Sequence, residues 1–286
     1  MGRLSGSSAR RRRPGARLRE EEPAIETPAE ALARLYDLDL AEDPGDVELY
    51  RALAARTGDP IVELATGSGR VAVPLAVGGH RVVGLDLDPA MLARAGRRAA
   101  IADREHPGTI ARLEWVTADI RLPMPERQGR HGMAVLALNS ICLFAERREQ
   151  AGVIGRMAEL VSPGGLVVVD AWQPQPIDLV RMDGRVSLEW LRDDPETGLA
   201  VTKHASAWYD PATRIAALTT VFEESRQGEA AVRWTRQDRL RLPTADELVD
   251  WAEAAGLEVE RLAGDHDLVP FSGASERAIL IARRPA

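Results

Sequence analysis

One turn constrains this chain more than any other feature: Glu63-Leu-Ala-Thr-Gly67-Ser-Gly69-Arg70 follows the apolar run Pro60 to Ala65 and opens a helical segment. Two glycines at a strand-to-helix turn let a ligand approach the backbone with no Cβ in the way. The helix that follows presents free amides and the positive end of its dipole, which suits a negatively charged group. A joint of this kind belongs to open α/β sheets that bind ligands at the carboxyl ends of their strands.

The rest of the chain agrees with that frame. Residues 28–57 carry Leu32, Leu35, Leu38, Leu49 and Leu53 at helical spacing and predict a lead-in helix pair. Short apolar runs then alternate with amphipathic segments. Strands are expected at Pro60–Ala65, Arg81–Asp86, Leu113–Thr117, Gly132–Asn139 and Leu166–Asp170, and helices at Arg70–Gly78, Pro89–Arg104 and Glu146–Val161. Such alternation implies parallel strands with right-handed crossovers.

After Trp172 the pattern changes. Val186–Arg192, Ala200–Tyr209, Arg214–Ser225 and Ala231–Leu242 alternate polar and apolar residues between turn signals, which predicts an inserted antiparallel sheet. Thr244 and Glu247 form a capping box for a further helix, and Leu257–Leu262 and Arg277–Arg283 close the chain as antiparallel neighbours. The expected organisation is a basic tail over residues 1–27 and one domain over 28–286. An insertion at 173–243 is placed to act as a lid over the carboxyl edge of the main sheet.

The turn alone leaves two cofactors open. Gly67-Ser-Gly69-Arg-Val-Ala72 satisfies a dinucleotide fingerprint, with Asp86 nineteen residues after Gly67, and so admits an NAD(P)-dependent oxidoreductase. The surroundings favour another reading: a long helical segment precedes the first strand, Glu63 lies four residues before Gly67, and Asp119-Ile120 follows the third strand. In this the chain resembles class I S-adenosylmethionine-dependent methyltransferases of the bacterial small-molecule, natural-product group. The likeness extends to Thr244–Leu248, Ala255-Gly256-Leu257, Gly264-Asp265 and Ser275-Glu-Arg277.

That resemblance implies a doubly wound, seven-stranded, mostly parallel Rossmann-like sheet, with S-adenosylmethionine as cofactor. It assigns Asp86, with Leu87 beside it, to the ribose hydroxyls, which a carboxylate can accept in a fork. Asp119 and Ile120 fall to the adenine, and Met91 to the adenine or ribose. Glu63 falls to the methionine ammonium, Gly67 and Gly69 leave room for its carboxylate end, and Tyr36 closes over the cofactor. Asn139 ends the fourth strand, either satisfying backbone groups or touching cofactor. Phe144, Trp172 and His204 are the expected acceptor contacts. Where related enzymes carry His-Leu or Tyr-Leu after this point, Ile141-Cys142-Leu143-Phe144 stands here, so no catalytic base is assigned.

Composition excludes several alternatives. Cys142 is the only cysteine, and the five histidines form no i, i+4 pair, so neither a thiolate zinc site nor any other metal is expected. Residues 1–22 hold seven arginines against three glutamates, which leaves about −11 of the net −7 on the remainder. An acidic folded part is a poor nucleic-acid partner. No apolar run approaches the roughly 20 residues of a membrane span. The expected setting is the cytoplasm and the expected partner a small molecule, methylated on nitrogen rather than oxygen; oligomeric state is not encoded legibly. A protein that binds S-adenosylmethionine without turnover is the remaining alternative. Asn139 is the only asparagine and Lys203 the only lysine in an Arg- and Ala-rich chain, as in proteins encoded by GC-rich genomes.

Overall fold

The computed structural model describes residues 26–42, 44–226, 228 and 230–286. Most of the predicted basic tail lies outside them. The first helix begins at Pro28; Thr27 is its N-cap, in a reciprocal box with Glu30, and Glu26 just before it pairs with Arg34.

The chain runs α1 (Pro28–Asp39), α2 (Val47–Ala54), β1 (Ile61–Leu64), α3 (Ala72–Val77), β2 (Val82–Asp86), α4 (Pro89–Glu105), β3 (Leu113–Thr117), β4 (His131–Leu136), α5 (Arg147–Leu160) and β5 (Val161–Trp172). It continues through α6 (Pro176–Arg181), β6 (Asp183–Asp193), β7 (Ala200–Asp210), β8 (Ile215–Ser225), β9 (Val232–Arg241), α7 (Ala245–Ala254), β10 (Glu258–Ala263) and β11 (Arg277–Arg283). The main sheet has the order β10-β11-β5-β4-β1-β2-β3, parallel except that β11 runs against both its neighbours. β4 is buried along its whole length, as its apolar sequence on both faces requires. The strand order reverses at β1, which lies between β2 and β4, and this switch point opens a crevice at the carboxyl edge.

Two boundaries differ from the sequence expectation. The helix expected over 70–78 becomes regular only at Ala72, because Gly67 and Gly69 take positive φ of 55° and 75° and the turn occupies the residues before it. The strand expected at Leu166–Asp170 extends over Val161–Trp172 as β5. The ladder with β4 begins at Val161, shifts register, and resumes at Leu166 opposite Met133. Among the described residues no helix is long and apolar enough to cross a membrane.

β6–β9 form a separate four-stranded antiparallel sheet. Its inner face packs on α1: Leu35, Leu38, Val201 and Phe222 form a small core, with Leu32, Trp190 and Trp234 against it. Arg34, buried in α1, pairs with Asp194 and Glu224 of this sheet region. Asp39, at the end of α1, accepts from Trp190 Nε1 (2.8 Å) and pairs with Lys203 (2.7 Å). The main domain holds the same helix from its other side, since Asp37 accepts from Arg94 Nε (2.5 Å) and Arg98 (3.1 Å). Helix α1 is therefore clamped between the inserted sheet and α4 of the main domain.

Candidate active site

Strand β1 delivers Glu63 into the interior, 3% exposed, one strand position from the glycine turn. Its Oε2 accepts from Thr66 Oγ1 (2.6 Å) and from the amide of Ala72 (2.9 Å), so this carboxyl group braces the turn from beneath. Burial pushes it up to about 7, against the opposing pull of the Thr66 hydroxyl, Arg70 and the Ala72 amide. The raised value means that the native state keeps its proton after the unfolded chain has lost its own. Stability therefore falls as pH rises from the ordinary carboxylate range to about 7, and then levels. Glu63→Gln keeps an acceptor for both donors, so its melting temperature relative to wild type should rise between pH 5 and pH 8, by a free energy on the order of 1–3 kcal/mol. Melting curves across that range check this; a pH-independent difference would contradict it.

Asp86 ends β2 beside the turn. Its Oδ2 accepts from the Gly67 amide (2.7 Å) and its Oδ1 from the Asp88 amide (2.9 Å), while burial raises its carboxyl above the ordinary value. Asp88 in turn caps α4, accepting from Ala90 N at 2.8 Å. Leu87 is largely exposed and Met91 half-buried on the first turn of α4, the two side chains flanking this acid.

The two glycines do different work. A Cβ on Gly67 would meet only Tyr36 Cε1, at 3.9 Å, across open space; one on Gly69 would press to 3.1 Å against both Ala95 and Trp115. Gly67 leaves room for a ligand, and Gly69 lets α4 and β3 close on the turn. Tyr36 thus faces the turn from α1, its hydroxyl held protonated by burial. Asp119 lies at the end of β3, its two oxygens held by Arg121, which lowers its pKa. Ile120 is buried in the main core, with little of its side chain left to reach a ligand.

A cavity of about 310 Å³ opens next to this row, between α1, the segment after β4, and the inner face of the inserted sheet. Tyr36, Asn139 and Ser140 line its sheet side, and Lys203, Arg236 and Asp238 its far side. Leu138 and Asn139 have positive φ of 40° and 63°, a conformation costing about 1–3 kcal/mol each in residues with a side chain. The neighbouring strand fixes it: Asn139 Oδ1 accepts from the Trp172 amide (2.7 Å) and from Arg277 (3.1 Å), and its own amide donates to the Asp170 carbonyl (3.1 Å). The backbone role expected for Asn139 is thus realised, and the residue also borders the cavity.

A methyltransferase-domain family model matches residues 61–165. An uncharacterised protein of Mycobacterium tuberculosis is 32% identical over 120 residues, 42% of this chain and 39% of that one, so the match spans about two fifths of that relative's length. Among solved structures, the sugar N-methyltransferase KedS8 from Streptoalloteichus is similar at TM-score 0.68 and 18% identity over 100% of both chains. The S-adenosylmethionine-bound amino pentose methyltransferase CalS10 from Micromonospora echinaspora is similar at TM-score 0.58 and 19% identity, over 88% of this chain and 91% of that one. Residues 61–165 are thus similar to a methyltransferase domain, and the fold as a whole is that of solved methyltransferases, one of them with S-adenosylmethionine bound.

The groups around the methyltransferase turn fit that cofactor: there is free space over Gly67, an acid sits at the end of β2, and Tyr36 faces the turn. The acceptor contacts expected from sequence need correction. His204 lies on the outer face of β7, its Nδ1 4.0 Å from Glu223, because Lys203 takes the inward position and neighbours on a strand point to opposite sides. Phe144 and Trp172 pack against the main core and are not among the residues lining the cavity. Sequence reasoning missed Lys203, Arg236 and Asp238. The rarity that drew attention to Asn139 applied equally to Lys203.

Two other features fall outside the site. A cavity of about 510 Å³ bordered by Pro60, Arg81 and His131 lies at the amino ends of the strands, away from the switch point. Asp46, Asp170 and His266 bring ligand atoms within 4.8 Å of one another, but Asp46 is held by Arg70 (2.5 and 2.6 Å) and Asp170 by Arg277, so arginines already balance both acids.

Proposed function

We propose that this methyltransferase methylates an amine nitrogen of a small molecule. The observation that carries the reading is the acid–base inventory of the cavity. Among the described residues no histidine lines it, and both lining carboxylates face cations, Asp39 with Lys203 (2.7 Å) and Asp238 with Arg236 (2.8 Å). A hydroxyl acceptor calls for a positioned base of suitable pKa, whereas a neutral amine attacks with its own lone pair. S-adenosylmethionine, when bound, supplies a methyl already activated on a sulfonium, so the N–CH3 bond forms as the S–CH3 bond breaks and sulfur keeps the electron pair. The similarity to a sugar N-methyltransferase supports the same choice.

The chain's own residues align and exclude water. In this reading Asp86 takes the ribose hydroxyls, with Leu87 and Met91 against the nucleoside. Asp119 turns from Arg121 to the adenine amine, the Ile120 backbone following it, and Glu63 and Gly67 border the methionine end. Tyr36 and the inserted sheet close the cavity from above, where partial burial keeps an amine neutral. Mass spectrometry of amine and hydroxyl panels, and of cell extracts, incubated with protein and methyl-labelled cofactor tests this. A mass gain confined to amines is expected; gains on hydroxyls alone would overturn the amine assignment, and binding of S-adenosylhomocysteine with no gain in any sample would point to a non-catalytic protein.

A further inference from the structure

The acceptor cavity does not end at Lys203. A second cavity of about 590 Å³ lies along the same inner face of the inserted sheet and shares Lys203, Leu218 and Thr220 with the first. The register confirms a continuous floor: Ala205 lies opposite Thr220 and Ala207 opposite Leu218, all on the side that faces the site. Nearer α1 the same face is filled by Val201, Phe222 and Trp190, which pack the helix. Beyond Lys203 β7 carries the small Ala205 and Ala207 in the inward positions, and the cavity lies between them and Arg181 and Met182 at the end of α6. The far rim is polar. Arg181 ends α6, Arg185 pairs with Asp183 (3.1 Å), and Glu189 accepts from Ser187 (2.8 Å).

We propose that this far compartment binds a second unit of the methyl acceptor, which is therefore a bipartite molecule. Its compact head carries the nucleophilic nitrogen beside Tyr36 and Asn139, and a larger, polar unit extends across Ala205 and Ala207 to α6. The inference rests on the methyl-transfer reading of the near compartment. Its ligand class follows from volume and rim: adjoining cavities of about 310 and 590 Å³ hold more than a single ring, and the ion pair and hydroxyl of the rim suit a hydroxylated or charged unit and reject a lipid tail. Ala205 and Ala207 are then specificity-determining, because their lack of bulk keeps the trough open.

The test fills the trough. Ala207→Phe and Ala205→Phe are compared with wild type and with Ser206→Phe, which places the same bulk on the outer face of the same strand. Each protein is incubated with cell extract and methyl-labelled S-adenosylmethionine, with S-adenosylhomocysteine affinity measured in parallel. Wild type and Ser206→Phe should label a multi-unit polar product. Ala207→Phe and Ala205→Phe should lose at least tenfold in labelling of it, with S-adenosylhomocysteine affinity within twofold of wild type. Unchanged labelling by both inward variants, or a wild-type product no larger than one ring or bearing a lipid tail, overturns the proposal. If wild type labels nothing yet binds S-adenosylhomocysteine, the methyl-transfer reading itself has failed and takes this inference with it. Loss of cofactor affinity in one inward variant marks a folding defect, and the other inward variant then decides.

Discussion

Replacing Arg277 by Met should cost this protein about 3–5 kcal/mol of stability, since it strips the partner from a fully buried charge. Asp170, at the carboxyl end of β5, is 0% exposed and accepts from Arg277 Nε at 2.7 Å, with Nη2 at 2.6 Å. His266 Nε2 stands 3.0 Å from its other oxygen, and the Tyr50 hydroxyl lies 3.5 Å from that same atom. These neighbours do not replace a guanidinium. In a domain of this size the loss corresponds to a melting temperature lower by roughly 10 °C. Asp170→Leu combined with Arg277→Met removes both charges and should recover most of the deficit, as replacing a buried pair by apolar groups often does. Calorimetry of the two proteins decides. A single-variant loss under about 1 kcal/mol would mean that the buried carboxylate does not depend on this guanidinium. The consequence reaches the site, because Arg277 also donates to Asn139, whose left-handed backbone shapes the cavity wall.

That network shows what sequence could and could not disclose. The order of elements was legible because each carries its own local mark: an apolar β4, a proline at the first turn of α4 behind Asp88, and a capping box at Thr244 and Glu247. The candidate cofactor edge could be placed because the glycine turn and the acid at the end of β2 are local too. The lining of the candidate cavity could not, because it is drawn from three stretches of chain, 32–39, 138–143 and 203–240, whose meeting depends on the face each strand turns inward. Alternation along β7 separates Lys203 from His204 with certainty, yet nothing local says which of the two faces α1. The ion pair of Lys203 with Asp39 of α1, and the hydrogen bond that Trp190 donates to the same carboxylate, settle that choice, and they are tertiary. Gly69 is a related case: the motif reads as ligand space, while the space is taken by Ala95 and Trp115. Glu63, read as a ligand for an ammonium, braces the turn through Thr66 and Ala72.

Asp86→Ala should weaken S-adenosylhomocysteine binding by roughly 100-fold or more. The wild-type carboxylate accepts from two backbone amides, those of Gly67 and Asp88, and so holds the glycine turn against β2. Hydrogen bonds to a charged group contribute about 1.5–3 kcal/mol each, and the variant loses the pinned turn together with the acceptors proposed for two ribose hydroxyls. Asp86→Asn keeps one acceptor oxygen and should fall between, about tenfold weaker. Because burial raises the Asp86 carboxyl, wild-type affinity should also decline on acidification earlier than an exposed aspartate would allow, and the Asn variant should lack that decline. Titration calorimetry at two pH values reads both effects. A loss below about threefold for Asp86→Ala would remove the ribose assignment, because two hydroxyl acceptors cannot vanish at so small a cost.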